Sequence, residues 1–312
     1  MKLAAIDLGT NTALLLIAEI SDDGKINVLC DELRSPRMGK GVDAGRRISE
    51  ESFQRVKEVF LEYKEIIPNY NVKKVIATGT SALRDASNRE EFITQMQNET
   101  GIAIEILSGE EEALWTFRGG ISGIENLHEN VTVIDIGGGS TEISNCQYRN
   151  ADWKEENLFS KSLDIGAVRL TEKFFSSLPP SESEIESARK FILHNLSEIS
   201  PTQFLNSQLV GVAGTVTTLA ALAQHLPQFD KEKISGYVLT IDTILNLFQN
   251  LSSKTSPKIR SLSETTAGRE DILTAGTLIL RTTMEYFGWN AVTASVSGLR
   301  FGIAISEWLS RQ

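Results

Sequence analysis

The segment VIDIGGGSTEI at residues 133–143 has a shorter counterpart, AIDLGTNT, at residues 5–12. Each begins as an apolar run that ends in an aspartate, Asp135 or Asp7, and continues as a turn of Gly, Ser, Thr or Asn before a second apolar run. The two aspartates lie 128 positions apart. A repeat at this distance indicates a duplicated domain rather than a solenoid.

The composition of these turns is typical of phosphate binding. Glycine lets the backbone approach an anion closely, consecutive N–H groups donate to phosphate oxygens, and a carboxylate at the strand end holds Mg²⁺ directly or through water. The alternative is an ordinary hairpin turn with Asp as a turn former. Because the motif occurs twice, a domain apart, this is the weaker interpretation. We predict that Asp7 and Asp135 hold the metal and that the phosphate-binding residues are Gly9, Thr10, Asn11, Gly137, Gly138, Gly139 and Ser140.

A third segment, LVGVAGTVTTLA at residues 209–220, predicts a strand, a Gly-Thr turn and the start of a helix. The unpaired N–H groups of a helix N-terminus bind anions, so Gly214 and Thr215 are further candidates for phosphate binding. The alternative is an ordinary strand–helix junction with Thr215 as the helix cap.

Length and composition limit the class of protein. The 312 residues suggest about two domains. A net charge of −10 argues against a broad nucleic-acid surface. Two cysteines outside any CxxC pair argue against a disulfide framework or a zinc site. The longest early apolar run, residues 13–18, is far shorter than a bilayer span, so we expect a soluble cytoplasmic protein without membrane or nucleic-acid partners.

Hydrophobic periodicity predicts an α/β fold. A three-stranded meander fills the first 35 residues, and glycines at 119–123 indicate a hinge between domains at 1–121 and 122–312. We expect the C-terminal helix, at about 300–312, to pack back on the first domain. The other predicted helices begin near residues 49, 88, 108, 182, 216, 243 and 270, with strands at 72–78, 103–107, 208–213 and 291–296.

Taken together, these segments resemble the exopolyphosphatase/guanosine pentaphosphate phosphohydrolase (Ppx/GppA) family of the actin/Hsp70/sugar kinase superfamily. The resemblance also covers ATGTSALRDASN at 77–88, IEILSGEEEA at 104–113 and DIGAVRLTEKFF at 164–175. It implies two ribonuclease-H-like domains with mixed sheets and an interdomain cleft. It further implies Glu112 as catalytic base, Glu142 as a second catalytic carboxylate and Arg84 as a phosphate-facing arginine.

The resemblance implies metal-dependent hydrolysis of a terminal phosphoanhydride, with Mg²⁺ or another divalent cation as cofactor. We expect an exopolyphosphatase that releases phosphate from inorganic polyphosphate. The alternative substrate is pppGpp. The resemblance also leaves open whether the protein forms a homodimer. The segment Gly268-Arg269-Glu270-Asp271 departs from the family's Pro-Arg-Ala-Asp, and the chain resembles the short two-domain form.

Structural alternatives remain for the charged candidates. Glu110, Glu111 and Glu112 in a first helical turn offset the helix dipole, with Glu111 as capping partner of Ser108. Arg84 has the alternative of a surface ion pair with Asp85 or Glu91. Arg169, in GAVRLT, is a phosphate or interface contact or else part of a buried structural pair.

Two other functions compete with hydrolysis. An ATP-dependent sugar or carboxylate kinase would use the same superfamily loops, and a nucleotide-binding sensor or filament protein would bind without releasing phosphate.

Overall fold

A computed structural model describes residues 1–147 and 157–311. The chain divides into two compact units, one formed by Met1–Gly119 with Leu299–Gln312 and the other by Gly120–Gly298. Each unit holds one mixed β-sheet packed with helices. The predicted α/β class is therefore confirmed.

The first unit contains a five-stranded sheet in the order β3-β2-β1-β4-β5. Its strands are β1 (Lys2–Leu8), β2 (Ala13–Ile20), β3 (Ile26–Arg34), β4 (Lys74–Gly79) and β5 (Ile104–Ile106). Its helices are α1 (Val42–Gly45), α2 (Glu50–Ile66), α3 (Ser81–Asp85), α4 (Arg89–Thr100), α5 (Gly109–Ser122, whose last three residues belong to the second unit) and α13 (Leu299–Leu309). The predicted meander is confirmed, because β1 to β3 pair antiparallel, whereas β4 and β5 extend the sheet in parallel.

Both faces of the first sheet are buried, so its central strands are almost continuously apolar. One face of β1 and β2 packs on α2 and α4 through residues such as Ile6 and Phe60. The other face packs on α13, where Leu3 and Leu16 meet Leu299 and Ile303. The C-terminal helix thus packs on the sheet of the first unit.

The second unit contains a six-stranded sheet in the order β10-β11-β9-β6-β7-β8. Its strands are β6 (Asn130–Ile136), β7 (Thr141–Gln147), β8 (Phe159–Leu163), β9 (Gln208–Val212), β10 (Val238–Thr240) and β11 (Ala291–Ala294). Its helices are α6 (Ala167–Phe174), α7 (Glu182–Leu196), α8 (Ala213–Ala223), α9 (Lys231–Ile234), α10 (Ile241–Ser252), α11 (Ser256–Arg260) and α12 (Leu273–Phe287). As in the first unit, an antiparallel β6–β7–β8 meander continues into parallel β9.

The glycine pair at the predicted hinge does not interrupt the helix. Gly119 and Gly120 lie inside α5, which continues to Ser122. A Cβ on Gly120 would lie 3.1 Å from side-chain carbons of Val133 and Val212, so this position needs a small residue for close packing. The chain divides into its two units between Gly119 and Gly120, and α5 continues through this division. That these glycines act as a hinge stays a prediction.

Two helix starts lack the side-chain cap that their local sequence favours. Asn88 precedes α4 but does not cap it; its side chain instead pairs with Ile48, accepting from its N–H at 2.9 Å and donating to its carbonyl at 3.0 Å. Helix α8 begins at Ala213, so Thr215 is its third residue rather than its cap. The capping box between Ser108 and Glu111 is confirmed. Within the described residues, no helix combines the length and apolarity required to cross a bilayer.

Candidate active site

In the first unit, Asp7 stands near the end of β1, and the turn that follows leads into β2. The turn is closed by a hydrogen bond from the Gly9 N–H to the Thr12 carbonyl at 2.8 Å. Thr10 within it is buried. The predicted phosphate-binding residues Gly9, Thr10 and Asn11 thus form one compact turn directly after the aspartate.

Asp7 carries a strongly perturbed carboxyl group. Desolvation by the surrounding protein raises its pKa to about 6, and the positive charge of Arg300 only partly opposes this. Arg300 is itself engaged with Asp31 through two hydrogen bonds of 2.8 and 2.9 Å. A carboxylate held in a desolvated position at a strand end is ready to accept a cation.

Arg84 and Glu112 are joined in the first unit. Arg84 Nη1 donates to Glu112 Oε2 at 2.9 Å and to the Leu107 carbonyl at 3.0 Å. The Glu112 side chain is 8% exposed and that of Arg84 is 25% exposed. The arginine therefore fixes the orientation of the predicted base. Glu112 was not among the ion-pair partners that the sequence suggested for Arg84.

The three glutamates at the start of α5 have different surroundings. Glu110 and Glu111 are exposed, and Glu111 forms the capping box with Ser108. Glu112 is buried, at 6% exposure. The dipole and capping explanation therefore accounts for the first two glutamates, whereas Glu112 occupies a position that capping does not require.

The turn of the second unit repeats the geometry of the first. Gly137 N–H donates to the Ser140 carbonyl at 3.0 Å, in the same relative position as the Gly9–Thr12 bond. Asp135 lies one residue before the end of β6, as Asp7 does in β1. Gly137, Gly138, Gly139 and Ser140 therefore form the counterpart of the first turn.

Glu142 distinguishes the second unit from the first. It lies on β7 directly opposite Asp135, whereas the residue opposite Asp7 is Leu14. Its side chain is buried, and Ser162 on the neighbouring β8 donates a hydrogen bond to Glu142 Oε1 at 2.7 Å. The predicted catalytic carboxylate is thus held in place by a serine that sequence analysis did not single out.

The third predicted turn lies beside the second. Val212 at the end of β9 pairs with Asp135, so α8 begins at the same edge of the sheet as the turn at 137–140. Ala213 has a left-handed backbone with φ of 64° and precedes the helical residue Gly214. Alternating left- and right-handed residues direct successive N–H groups into a concave anion-binding nest.

An arginine that sequence analysis left without a role covers this turn. A Cβ on Gly214 would overlap the guanidinium group of Arg269, which is 8% exposed. Within residues 1–147 and 157–311, Arg269 Nε has no hydrogen-bond acceptor. Desolvation lowers the pKa of this arginine to about 10. A buried cation over a helix N-terminus is suited to bind an anion. The sequence offered one sign of this role for Arg269, because the residue is charged and lies beside Gly268 just before an apolar helix.

The backbone N–H of Thr215 is the group that was predicted to bind phosphate, and its side chain has another place. Its side chain is buried against α12, where a Cβ on Gly276 would lie 2.6 Å from Thr215 Oγ1. The hydroxyl thus packs between helices, and only its backbone N–H belongs to the turn.

In the part of the chain that the structure describes, no three His, Cys, Asp or Glu side chains gather into a metal-binding group. Mg²⁺ is commonly held by one or two carboxylates together with substrate phosphates. Asp7, whose desolvated carboxyl group a cation would compensate, fits such a site.

Duplicated Asp-Gly turns on a pair of matching mixed sheets are the features of the actin/Hsp70 superfamily. A model of the Ppx/GppA phosphatase family matches residues 16–311, and the chain belongs to that family. The resemblance seen in the sequence is therefore confirmed.

Individual relatives agree with this assignment. The chain is 33% identical to exopolyphosphatase 2 of Mycobacterium tuberculosis over 319 residues, covering 98% of both proteins. It is 35% identical over 307 residues to the bifunctional 3-dehydroquinate synthase/phosphatase of Fusobacterium nucleatum, covering 94% of this chain but 44% of that protein.

Solved structures show the same fold. The Ppx/GppA family member of Aquifex aeolicus has a TM-score of 0.81 and 32% identity, covering 100% of this chain and 99% of that one. An exopolyphosphatase from Cytophaga hutchinsonii has a TM-score of 0.88 and 27% identity, covering 99% and 98%.

Proposed function

We propose that this Ppx/GppA phosphatase is an exopolyphosphatase, which hydrolyses the terminal phosphoanhydride of inorganic polyphosphate. The observation that carries the proposal is the buried Glu112 carboxylate held by Arg84, in the same unit as the Asp7 turn. The match to exopolyphosphatase 2 of Mycobacterium tuberculosis along nearly the whole of both chains supports the choice of substrate.

Phosphate oxygens are bound by backbone N–H groups of the Gly9–Asn11 and Gly137–Ser140 turns, other than those of Gly9 and Gly137, which close the turns by internal hydrogen bonds. Arg269 and the N-terminus of α8 supply a further cationic position in the second unit. Such local donors are necessary because the net charge of −10 makes the surface as a whole repel a polyanion.

Glu112 orients and deprotonates the water that attacks the terminal phosphorus. Arg84 holds Glu112 Oε2, so the carboxylate is kept in one orientation. The proton of the water passes to Glu112 as the bond between phosphorus and the bridging oxygen breaks. Glu142, which Ser162 holds in the second unit, is the second carboxylate that we assign to the reaction.

Asp7 in the first unit and its counterpart Asp135 in the second unit are the candidates to hold Mg²⁺ or another divalent cation. The cation, when bound, would neutralise charge on the phosphate oxygens. The desolvated carboxyl of Asp7 is the structural support for this assignment.

The test compares wild type with Glu112→Gln in phosphate release from polyphosphates of several lengths, pppGpp and ATP, with Mg²⁺ and with EDTA. We expect release from polyphosphate, loss of release in EDTA, and a decrease of kcat by about 10²–10⁴-fold in the variant with tripolyphosphate binding retained. Faster release from pppGpp than from polyphosphate would favour the alternative substrate.

Glu110→Gln is the matched control. It removes the same charge from the same helical turn, but Glu110 is exposed, so its activity should remain near that of wild type. Equal losses in the two variants would assign the effect to the helix dipole and refute the role of Glu112 as base. Phosphate transfer from ATP to an added sugar or carboxylate, without release to water, would indicate the kinase alternative.

A further inference from the structure

The carbonyl groups of both phosphate turns are occupied by a neighbouring segment of the same unit. In the second unit, the Ala167 N–H donates to the Gly137 carbonyl at 2.9 Å, and the N–H groups of Val168 and Arg169 donate to the Gly138 carbonyl at 2.8 and 3.1 Å. The N–H groups at the start of α6 therefore donate to the Gly137–Ser140 turn and are not available to an external anion.

The first unit has an equivalent arrangement built from a loop. The Gly39 N–H donates to the Thr10 carbonyl at 2.8 Å, and the Arg37 N–H donates to the Asn11 carbonyl at 3.1 Å. The duplication of the chain thus extends to the segments that support the turns, although α6 has no counterpart helix among these residues.

A glycine permits the close approach in each unit. A Cβ on Gly166 would overlap the Gly138 carbonyl, and a Cβ on Gly39 would overlap the Thr10 side chain. Neither glycine has a positive φ, so backbone conformation does not require them. They are needed for contact with the turn.

Arg169 adds a side-chain bond in the second unit. Its Nε donates to the Gly139 carbonyl at 2.8 Å, and Asp164 lies 3.7 Å from its Nη2. The Arg169 side chain is only 12% exposed. Three consecutive carbonyls of the turn, those of Gly137–Gly139, are therefore held from one side.

Holding a carbonyl also fixes the direction of an N–H group. The C=O of one residue and the N–H of the next share a planar trans peptide and point in opposite directions. The bonds to Gly137–Gly139 consequently direct the N–H groups of residues 138–140 away from α6. Within residues 1–147 and 157–311, these three N–H groups have no hydrogen-bond acceptor.

We propose that α6 and Arg169 form a brace that keeps the phosphate turn of the second unit in its anion-binding conformation. Arg169 is in this sense a positioning residue, which acts through the Gly139 carbonyl. The inference rests on the proposed phosphate-binding role of the turn and extends it to residues outside the turn.

Three substitutions separate bracing from direct charge contact. Arg169→Gln places a neutral N–H donor the same number of bonds from the backbone as the arginine Nε. Arg169→Lys keeps the charge but places its donor one bond further out, and Arg169→Ala removes both. The brace predicts that Gln retains function, whereas Lys and Ala each weaken tripolyphosphate binding about tenfold and raise KM more than they change kcat.

The probe is tripolyphosphate, measured by calorimetry for binding and by phosphate release for turnover. Arg189→Ala, which removes another partly exposed arginine from the second unit, should match wild type. Near-normal binding by the Lys variant with impaired binding by the Gln variant would overturn the brace and make Arg169 a charge contact. A wild type that does not bind tripolyphosphate would overturn it as well, whereas binding without turnover on any substrate would refute only the proposed hydrolysis.

Glycine variants provide a second test in the first unit. Gly39→Ala should weaken tripolyphosphate binding, whereas Gly45→Ala, where nothing lies within 4 Å of the added methyl group, should not. Equal binding by these two variants would refute the equivalent role of the Gly39 segment.

Discussion

Replacement of Arg269 by methionine should stabilise the protein in the absence of anions and abolish its stabilisation by them. Burial lowers the pKa of Arg269 to about 10, and the opposing charge of Glu270 does not restore it. A lowering of this size corresponds to roughly 3 kcal/mol of unfavourable free energy for the charged form. This cost is fully present at neutral pH and is relieved only as the pH rises through about 10.

Methionine retains an unbranched apolar chain of similar length without the buried charge. Local relaxation recovers part of the cost in the wild type, so we expect a gain of about 1–3 kcal/mol, or about 2–8 °C in Tm. Thermal unfolding in a buffer without phosphate or sulfate measures this difference.

Titration with tripolyphosphate gives the second half of the experiment. An anion at ten times its dissociation constant should stabilise the wild type by about 1.4 kcal/mol and the Arg269→Met variant much less. The reasoning would be refuted by a variant that is less stable than wild type without anions, or by one that keeps the full anion-induced shift.

Two further predictions concern the carboxyl groups of Asp7 and Glu142. Burial raises the pKa of Asp7 from 3.8 to about 6, so the stability that its protonated form contributes is complete below about pH 3.8 and is lost as the pH rises through about 6. Asp7→Asn should therefore exceed wild type in stability at pH 8 in EDTA by about 1–2 kcal/mol, allowing for partial exposure, with a gap that closes towards pH 4 in melting experiments. Ser162→Ala should lower kcat/KM for polyphosphate about tenfold by removing the 2.7 Å hydrogen bond to Glu142, and equal activity to Ser160→Ala, a control on the same strand, would contradict this.

The sequence determined the repeated strand–turn–strand units and the family. These features are local: an apolar strand, an aspartate and a glycine turn occur within ten residues, and their physical preferences do not depend on distant contacts. The position of Asp7 and Asp135 in equivalent strands could therefore be predicted from the pattern alone.

The helix boundaries were less predictable where packing overrides local preference. Glycine locally disfavours a helix, yet α5 continues through Gly119 and Gly120, and Gly120 lies close to Val133 and Val212. Short elements such as α3 and β10 were missed, since five and three residues are too few to display a hydrophobic period.

Only the tertiary structure decided which charged residues act on one another. Arg84 and Glu112 are 28 positions apart, and Ser162 and Glu142 are 20 apart, so no local motif records either contact. Arg269 reaches Gly214 across more than 50 positions of chain, and its desolvation comes from packing that the sequence does not display. The sequence thus located the turns that we propose to bind phosphate, because that chemistry lies in a few adjacent residues. Folding decided which side chains orient and support them, because those contacts join distant parts of each unit.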